Sequence, residues 1–239
     1  MARSLPILLA FGPHPDDIEF ACGGVVARET QTGRPAHFVL CSHGEAGSYG
    51  TPEERTKEAE RAADLLGATL EFIELDGDAH LEVRAAHAIK LAAVIRRVRP
   101  GLVLAPSLSE NQHPDHPRLG RLVRDACRLA RYGGVAELRG EPPHAIQQLL
   151  FYAVTAQAEP CDITPVLIDV SVPEVLASWT AAMEAHASQT HARKYIELQL
   201  TRARLHGLGA GLTHAIPLFP NDPIVLESLA QLSTAARVF

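Results

Sequence analysis

Residues 5–17 read LPILLAFGPHPDD, and this stretch decides how the rest of the chain is interpreted. Leu5–Phe11 is an almost continuous apolar run, which is typical of a strand buried on both faces of a parallel sheet. The run leads into His14-Pro15-Asp16-Asp17, an imidazole and two carboxylates within four residues. Open α/β sheets bind their ligands outside the carboxyl ends of such strands. The stretch therefore predicts an α/β fold with a metal site and an additional acid or base beside it.

Strand and helix patterns alternate along the chain from residue 5 to about residue 130. After the first strand they lie at residues 22–32 (helix), 35–41 (strand), 51–66 (helix), 70–75 (strand), 83–98 (helix), 101–106 (strand) and 117–130 (helix). Thr51-Pro52-Glu53-Glu54 has the pattern of a capping box, with proline at the first helical position. Such alternation indicates βαβ units. We therefore predict a Rossmann-like, three-layer α/β/α fold with a mostly parallel sheet.

The C-terminal part is less regular. Strands are predicted at residues 148–154 and 166–170, helices at residues 173–186 and 191–206, and after these a Pro-containing, weakly helical segment. No linker, internal repeat or low-complexity segment divides the chain. We expect a single domain over residues 1–239, with a core at about residues 5–171 and a C-terminal helical extension at about residues 172–239.

The composition excludes several classes of protein. The chain has 239 residues, a formal net charge of −6 and no basic stripe, which argues against nucleic acid as a partner. No apolar run reaches the roughly 18 residues of a transmembrane helix, and the N-terminal run is too short for a signal peptide. The four cysteines form no C-x-x-C pair, which argues against a sulfur metal site and against a disulfide framework. We expect a cytoplasmic protein without a membrane span.

A second polar motif, His113-Pro114-Asp115-His116, follows the fourth predicted strand. Each motif alone is also compatible with a solvated turn in which Asp16 or Asp17 caps the next helix. In a Rossmann-like order the first and fourth strands can be neighbours, so both motifs can meet at one edge. Two histidines and a carboxylate form a catalytic zinc set with an open position, and the surplus residues can supply a base and an electrophile.

Four motifs together resemble those of the LmbE-like (PIG-L) family of zinc-dependent N-deacetylases. They are residues 12–19 with Gly23-Gly24, Gly44-Glu45-Ala46-Gly47 with Arg55 and Glu58 downstream, His113-Pro114-Asp115-His116, and His186-Ala187-Ser188-Gln189. The resemblance spans roughly residues 5–195, and the first and third motifs are the most specific.

The resemblance implies which residues hold the metal. His14, Asp17 and His116 match the zinc ligands of the family, and Asp16 matches its general base. A base that is not a ligand can take the proton of the attacking water and hand it to the departing amine. The cofactor is therefore expected to be Zn²⁺, although the same ligands can hold iron(II), cobalt or nickel.

The resemblance also implies roles for residues around the metal. His113 matches the residue that stabilises the oxyanion, as an imidazolium held by its orienting partner Asp115. Arg55 matches a substrate-binding arginine. Tyr195 lies near the place where some relatives have an active-site tyrosine, with a partly buried core tyrosine as the alternative.

The expected function is zinc-dependent removal of the N-acetyl group from an N-acetylglucosamine-containing small molecule. The resemblance also implies a homo-oligomer, a trimer or a hexamer. Hydrolysis of another amide, such as a sugar-thiol conjugate, remains an alternative, and so does a non-catalytic metal-binding Rossmann-like protein. A protein that only binds has no use for Asp16. A dinucleotide site would need G-x-G-x-x-G after the first strand, where this chain has HPDD.

Three residues stay undecided between a structural and a functional role. His43 and His186 fit either a site or an ordinary loop or core histidine. Gln112 stands where several sugar-thiol deacetylases have arginine, which argues against a negatively charged aglycone.

Overall fold

The computed structural model describes residues 5–110, 113–190 and 194–231. Its strands are β1 (Leu8–Gly12), β2 (Ala36–Leu40), β3 (Ala68–Phe72), β4 (Leu102–Pro106), β5 (Gln148–Tyr152), β6 (Val166–Asp169) and β7 (Ala215–Pro220). Its α-helices are α1 (Asp17–Gln31), α2 (Pro52–Leu65), α3 (Ala85–Val98), α4 (Asp115–Arg131), α5 (Pro173–Ala185), α6 (Ala187–Thr190) and α7 (Tyr195–Gly209). Within these ranges no helix combines the length and apolar character needed to cross a membrane.

The strands form one mixed sheet in the order β3-β2-β1-β4-β5-β7-β6. The pairs among β1 to β5 are parallel, whereas β7 runs antiparallel to both β5 and β6. Side chains alternate between the two faces of each strand. In β1, Leu8 and Ala10 pack into the core that also contains residues of α1, α2, α5 and α7, while Leu9 and Phe11 pack into the core shared with α3 and α4. The predicted three-layer α/β fold is confirmed.

The strand order brings the two polar motifs together. β1 pairs with β4 in parallel, with Leu8 opposite Leu102, so both strands end at the same edge of the sheet. The chain runs from β1 to β3 on one side of this pair and from β4 onward on the other. Such a reversal of strand order opens a crevice at the carboxyl ends of the strands. Both motifs border this crevice.

The C-terminal segment differs from the predicted helical extension. Residues 215–220 form β7, which inserts between β5 and β6 and completes the sheet. Pro217 and Pro220 lie opposite Leu167 and Leu150, and proline within a strand pattern weakens its prediction because proline has no N–H for the ladder. The helix expected at residues 191–206 corresponds to α7, with residues 191–193 outside the described part.

Candidate metal centre and active site

The turn between β1 and α1 separates two adjacent carboxylates. Asp16 is the N-cap residue of α1 and has φ 108° and ψ −29°, a strained backbone conformation for a residue with a side chain. Its side chain makes no capping hydrogen bond and lies 3.5 Å from the Arg55 guanidinium. Asp17, the first residue of the helix, lies against His14 and His116 instead. The strained turn therefore places the two carboxylates in different surroundings.

Asp17 joins the two histidines that the sequence predicted as its fellow ligands. One oxygen of Asp17 lies 3.0 Å from Nδ1 of His14, and the other lies 3.2 Å from Nε2 of His116. The backbone N–H of His14 also donates to the Asp17 carboxylate at 3.1 Å. All three residues are buried. The structure thus brings the predicted ligand set together.

His113 completes a cluster of three imidazoles. One nitrogen from each of His14, His113 and His116 lies within 4.8 Å of the others, so these atoms can reach a common ion. The backbone N–H of Asp115 donates to Nδ1 of His113 at 3.4 Å, which leaves Nε2 as the ring nitrogen that carries a proton. Burial and the neighbouring His14 and His116 lower the pKa of His113. Its role as an imidazolium that stabilises the oxyanion stays a prediction.

Asp115 supports two histidines by different groups. Its backbone N–H contacts His113, whereas its carboxylate lies 3.4 Å from Nε2 of His14. The N–H of Ala79 donates to the same carboxylate at 2.8 Å. A carboxylate against the second nitrogen of a ligating histidine orients the ring and raises its basicity. Asp115 is thus placed to orient His14 as well as His113.

Asp78 belongs to the cluster, and the sequence reasoning missed it. It follows β3, and its Oδ1 lies 3.0 Å from Nε2 of His14 and 3.6 Å from Nε2 of His113. The loop is held by Glu45, which accepts the N–H of Asp78, and by a left-handed φ of 66° at Ala79. A lone aspartate in a loop forms no motif. Polar residues that follow a strand of a parallel sheet often mark a site at the edge of the sheet. Applied to β3, this rule could have identified Asp78 from the sequence.

The residues present fit a divalent metal ion. Burial alone would lower the pKa of His14, but hydrogen bonds to Asp115, Asp17 and Asp78 raise that pKa well above its usual value. Oδ1 of Asp78 lies against Nε2 of His14, and Oδ1 of Asp115 is buried without a well-formed hydrogen bond within the described residues. Such a concentration of carboxylate and imidazole groups suits a cation bound through nitrogen and oxygen.

The two adjacent carboxylates have opposite pKa shifts. Burial and the charge of Asp17 raise the pKa of Asp16 to about 7, against the opposing effects of His186, Arg55 and His14. Asp17 is also penalised by burial, but His116 and His14 hold its pKa well below the usual range. Divergent pKa values in a pair of carboxylates separate a proton-transfer group from a permanently charged one.

Arg55 lies behind the cluster and is almost fully buried. Its guanidinium donates to the carbonyl oxygens of Gly44 and Pro15, both at 2.8 Å, in addition to its approach to Asp16. A Cβ on Gly44 or Gly47 would meet this guanidinium at 2.0 Å and 2.7 Å, which explains glycine at both positions. The structure therefore shows Arg55 holding the Asp16 turn and the glycine-rich loop. Its role as a substrate-binding residue stays a prediction.

The structure places the other singled-out residues as follows. Tyr195 begins α7 and packs its ring against Phe20, 5.9 Å between centroids, and its role in substrate binding stays a prediction. His43 stacks on Phe72 and contacts Thr56 at the neighbouring strand end. Gln112 lies outside the described residues. His186 is fully buried beside Glu19 of α1.

Comparisons with known proteins agree on one family. The model of the family described as GlcNAc-PI de-N-acetylase, PIG-L, matches residues 9–127. The crystal structure of the conserved protein TT1542 from Thermus thermophilus has a TM-score of 0.83 and 32% sequence identity, and the match covers 95% of this chain and 100% of that one.

Two curated relatives have different activities. A 4-oxalmesaconate hydratase from Pseudomonas putida is 29% identical over 203 residues, which are 78% of this chain and 75% of the hydratase. A diacetylchitobiose deacetylase from Thermococcus kodakarensis is 30% identical over 161 residues, 61% of this chain and 59% of the deacetylase. The similarity therefore extends to enzymes that act on different bonds.

Proposed function

Because the chain belongs to the PIG-L (LmbE-like) family of enzymes, we propose that it hydrolyses the N-acetyl group of an N-acetylglucosamine-containing small molecule with the help of a bound metal ion. The observation that carries this proposal is the separation of the two carboxylates: Asp17 lies between His14 and His116, whereas Asp16 lies 3.5 Å from Arg55, and burial raises its pKa to about 7. Amide hydrolysis needs a group that accepts and then releases a proton near neutral pH. Asp16 meets this need next to the histidine cluster.

The metal would be held by His14, Asp17 and His116, and we propose that it is zinc. When bound, such an ion polarises the amide carbonyl and lowers the pKa of water. The carboxylates of Asp78 and Asp115, both against Nε2 of His14, keep its ring oriented, as the support of a ligand requires.

Asp16 acts as the general base and then as the general acid. As a carboxylate it takes a proton from the attacking water, and it delivers this proton to the nitrogen of the leaving amine. Water and the amide are thereby converted to acetate and the protonated amine, which also receives the second proton of the water. Nε2–H of His113 donates to the oxygen of the amide carbonyl as negative charge develops there. The neutral imidazole and the imidazolium both carry an N–H that can make this donation.

A direct experiment is metal analysis of the purified protein together with free-amine release from a panel of N-acetylglucosamine derivatives. We expect about one metal ion per chain, from the single ligand set, and amine release that a chelator abolishes. Asp16→Asn is the matched control, because it keeps the ligands and removes the base. Bound metal without amine release from any derivative would contradict the proposal.

A second candidate is addition of water to a carbon–carbon double bond. The similarity to the Pseudomonas putida hydratase over 78% of the chain favours it. Hydration also uses a base but releases no amine. Loss of the ultraviolet absorbance of 4-oxalmesaconate, assayed beside the amine panel, separates the two activities. The homo-oligomeric state, a trimer or a hexamer, remains a proposal that light scattering can test.

A further inference from the structure

The interior of the domain contains a buried histidine–glutamate pair that the proposed mechanism does not use. His186 follows α5 and is 0% exposed, and Glu19 on α1 is 1% exposed. Nε2 of His186 lies 3.5 Å from Oε1 of Glu19. Neither ring nitrogen of His186 nor Oε2 of Glu19 forms a well-directed hydrogen bond to a described residue. Leucine would fill this space at less cost, because a buried ion pair rarely stabilises a fold better than apolar packing.

Glu19 lies at a position from which glutamate commonly caps the start of its own helix. It is the third residue of α1, three positions after the N-cap residue Asp16. In a capping box the glutamate at this position bonds back to the N-cap backbone N–H. Here Glu19 contacts His186 in the core, and α1 has no side-chain cap hydrogen bond. The first turn of α1 is therefore held from α5 and not by local capping.

α5 contacts the same turn a second time. Nε1 of Trp179 donates to the backbone oxygen of Glu19 at 2.7 Å. A Cβ on Gly23 or Gly24 would lie only 2.8 Å and 3.0 Å from atoms of the Trp179 ring, so these glycines let the indole lie on α1. The Gly23-Gly24 motif thus serves the contact between α5 and the helix that begins at Asp16.

The segment that contains His186 is also hydrogen-bonded to α2 and to the glycine-rich loop. Ser188 donates its N–H and its hydroxyl to the two carboxylate oxygens of Glu58 on α2, at 2.7 Å and 2.6 Å. Nε2 of Gln189 donates to the backbone oxygen of Tyr49 in the glycine-rich loop. α2 also carries Arg55, which contacts the Asp16 turn. One continuous set of contacts therefore surrounds that turn.

We propose that His186 is a positioning residue for Asp16: paired with Glu19, it holds the first turn of α1 so that Asp16 keeps its strained backbone. Strained conformations persist only where the surroundings determine them, and they concentrate at functional sites. Burial alone would lower the pKa of His186, but Glu19, Asp16 and Glu58 raise it. This inference rests on the proposed hydrolase function, in which Asp16 is the base.

The test uses a double variant, Glu19→Leu with His186→Leu, which removes both charges and leaves none unpaired. If the pair were only structural, this variant would be stable and fully active. We expect it to fold and to bind metal, with kcat lowered by about tenfold or more, as for other residues that support a ligand or base. KM should stay within about twofold, because no contact with substrate is lost. The single variant His186→Gln keeps a side-chain N–H that can donate to Glu19. Its kcat should therefore be much closer to the wild-type value than the kcat of the double variant.

His206→Leu is the matched control. His206 lies 3.0 Å from Glu159 in a second histidine–glutamate pair, on α7, and its loss should leave kcat unchanged. A crystal structure of the double variant gives a readout that needs no substrate: Asp16 should leave φ 108° for an ordinary conformation. If the wild-type enzyme releases no amine at all, the proposed function fails while this structure still decides the inference.

Wild-type kcat in the double variant, or an unchanged Asp16 backbone in its crystal structure, would overturn the proposal. Should the double variant not fold, Ser188→Ala replaces it, because it loosens the segment at a partly buried position. We then expect kcat to fall about threefold or more at unchanged KM, in the range of one lost hydrogen bond. A wild-type kcat in Ser188→Ala would equally overturn it.

Discussion

Helices α1 and α2 begin with the same local pattern and use it differently. Both have a capping residue followed three positions later by glutamate, Asp16 with Glu19 and Thr51 with Glu54. At α2 the box is complete, because Thr51 accepts the N–H of Glu54 at 3.2 Å and Glu54 accepts the N–H of Thr51 at 2.8 Å. At α1 neither side chain caps the helix, and Asp16 has a strained φ of 108°.

The difference indicates that the start of α1 is locally less stable than the start of α2. A missing cap costs about 1 kcal/mol, and a strained backbone residue costs about 1–3 kcal/mol. At α1, Asp16 contacts Arg55 and Glu19 contacts His186. We infer that the start of α2 serves stability and that the start of α1 serves chemistry. Substitutions at the two sites should therefore have opposite consequences.

The largest effect is expected from the ligands at the start of α1. Asp17→Ala or His116→Ala removes one of three proposed ligands and should abolish both metal binding and activity. Elemental analysis of the purified variants measures this, with Thr51→Ala as the control that keeps its metal. A full complement of metal in either ligand variant would show that the ion is held elsewhere, for example by His14, Asp78, His113 and Asp115.

Asp16→Ala should give the next largest effect. Loss of a general base lowers kcat by about 10³-fold, while the ligands and the bound metal remain. Steady-state kinetics on the best substrate of the panel, with metal content measured on the same sample, tests this expectation. Near-wild-type turnover would mean that another group accepts the proton.

The free energy of unfolding should depend on the two helix starts in the opposite way, with a larger loss from Thr51→Ala than from Asp16→Ala. Thr51→Ala breaks a complete capping box and should lower the free energy of unfolding by about 1 kcal/mol with unchanged kcat. Asp16→Ala loses no capping bond and should not lower it, since Asp16 makes none. Urea unfolding of both metal-free variants decides this comparison. Equal destabilisation by the two substitutions would show that Asp16 also supports the helix.

The smallest effect concerns the pH dependence of stability. Glu19, Asp16 and Glu58 raise the pKa of His186 above its value in the unfolded chain. The resulting stabilisation is complete below the unfolded pKa of about 6.5 and is lost as pH rises through the folded pKa. The free energy of unfolding of the metal-free protein should therefore decrease over that range. His14 and Asp16 also have raised pKa values and contribute slope of the same sign, so the part that disappears in the Glu19→Leu, His186→Leu variant reports His186 together with its effect on Asp16. Thr51→Ala should shift the whole curve without changing its slope.

Much of the fold follows from patterns that are local in the chain. The apolar run before His14 and the complete box at Thr51 predicted β1 and the start of α2 correctly. The start of α1 was placed at Cys22 instead of Asp17, because Asp17 and Glu19 are buried polar residues that interrupt the apolar pattern. β7 was missed for a similar reason, since its two prolines are typical of irregular segments.

The α/β class, the two polar motifs and the family follow from the sequence, because they depend on periodicity and on residue types at short spacing. Only the tertiary structure decided that β1 and β4 are neighbours, that Asp78 enters the histidine cluster and that Glu19 contacts His186. It also decided that the pKa values of Asp16 and Asp17 diverge. The physical reason is that burial and charge act through space, and the groups that impose them come from α2, α4 and the end of α5.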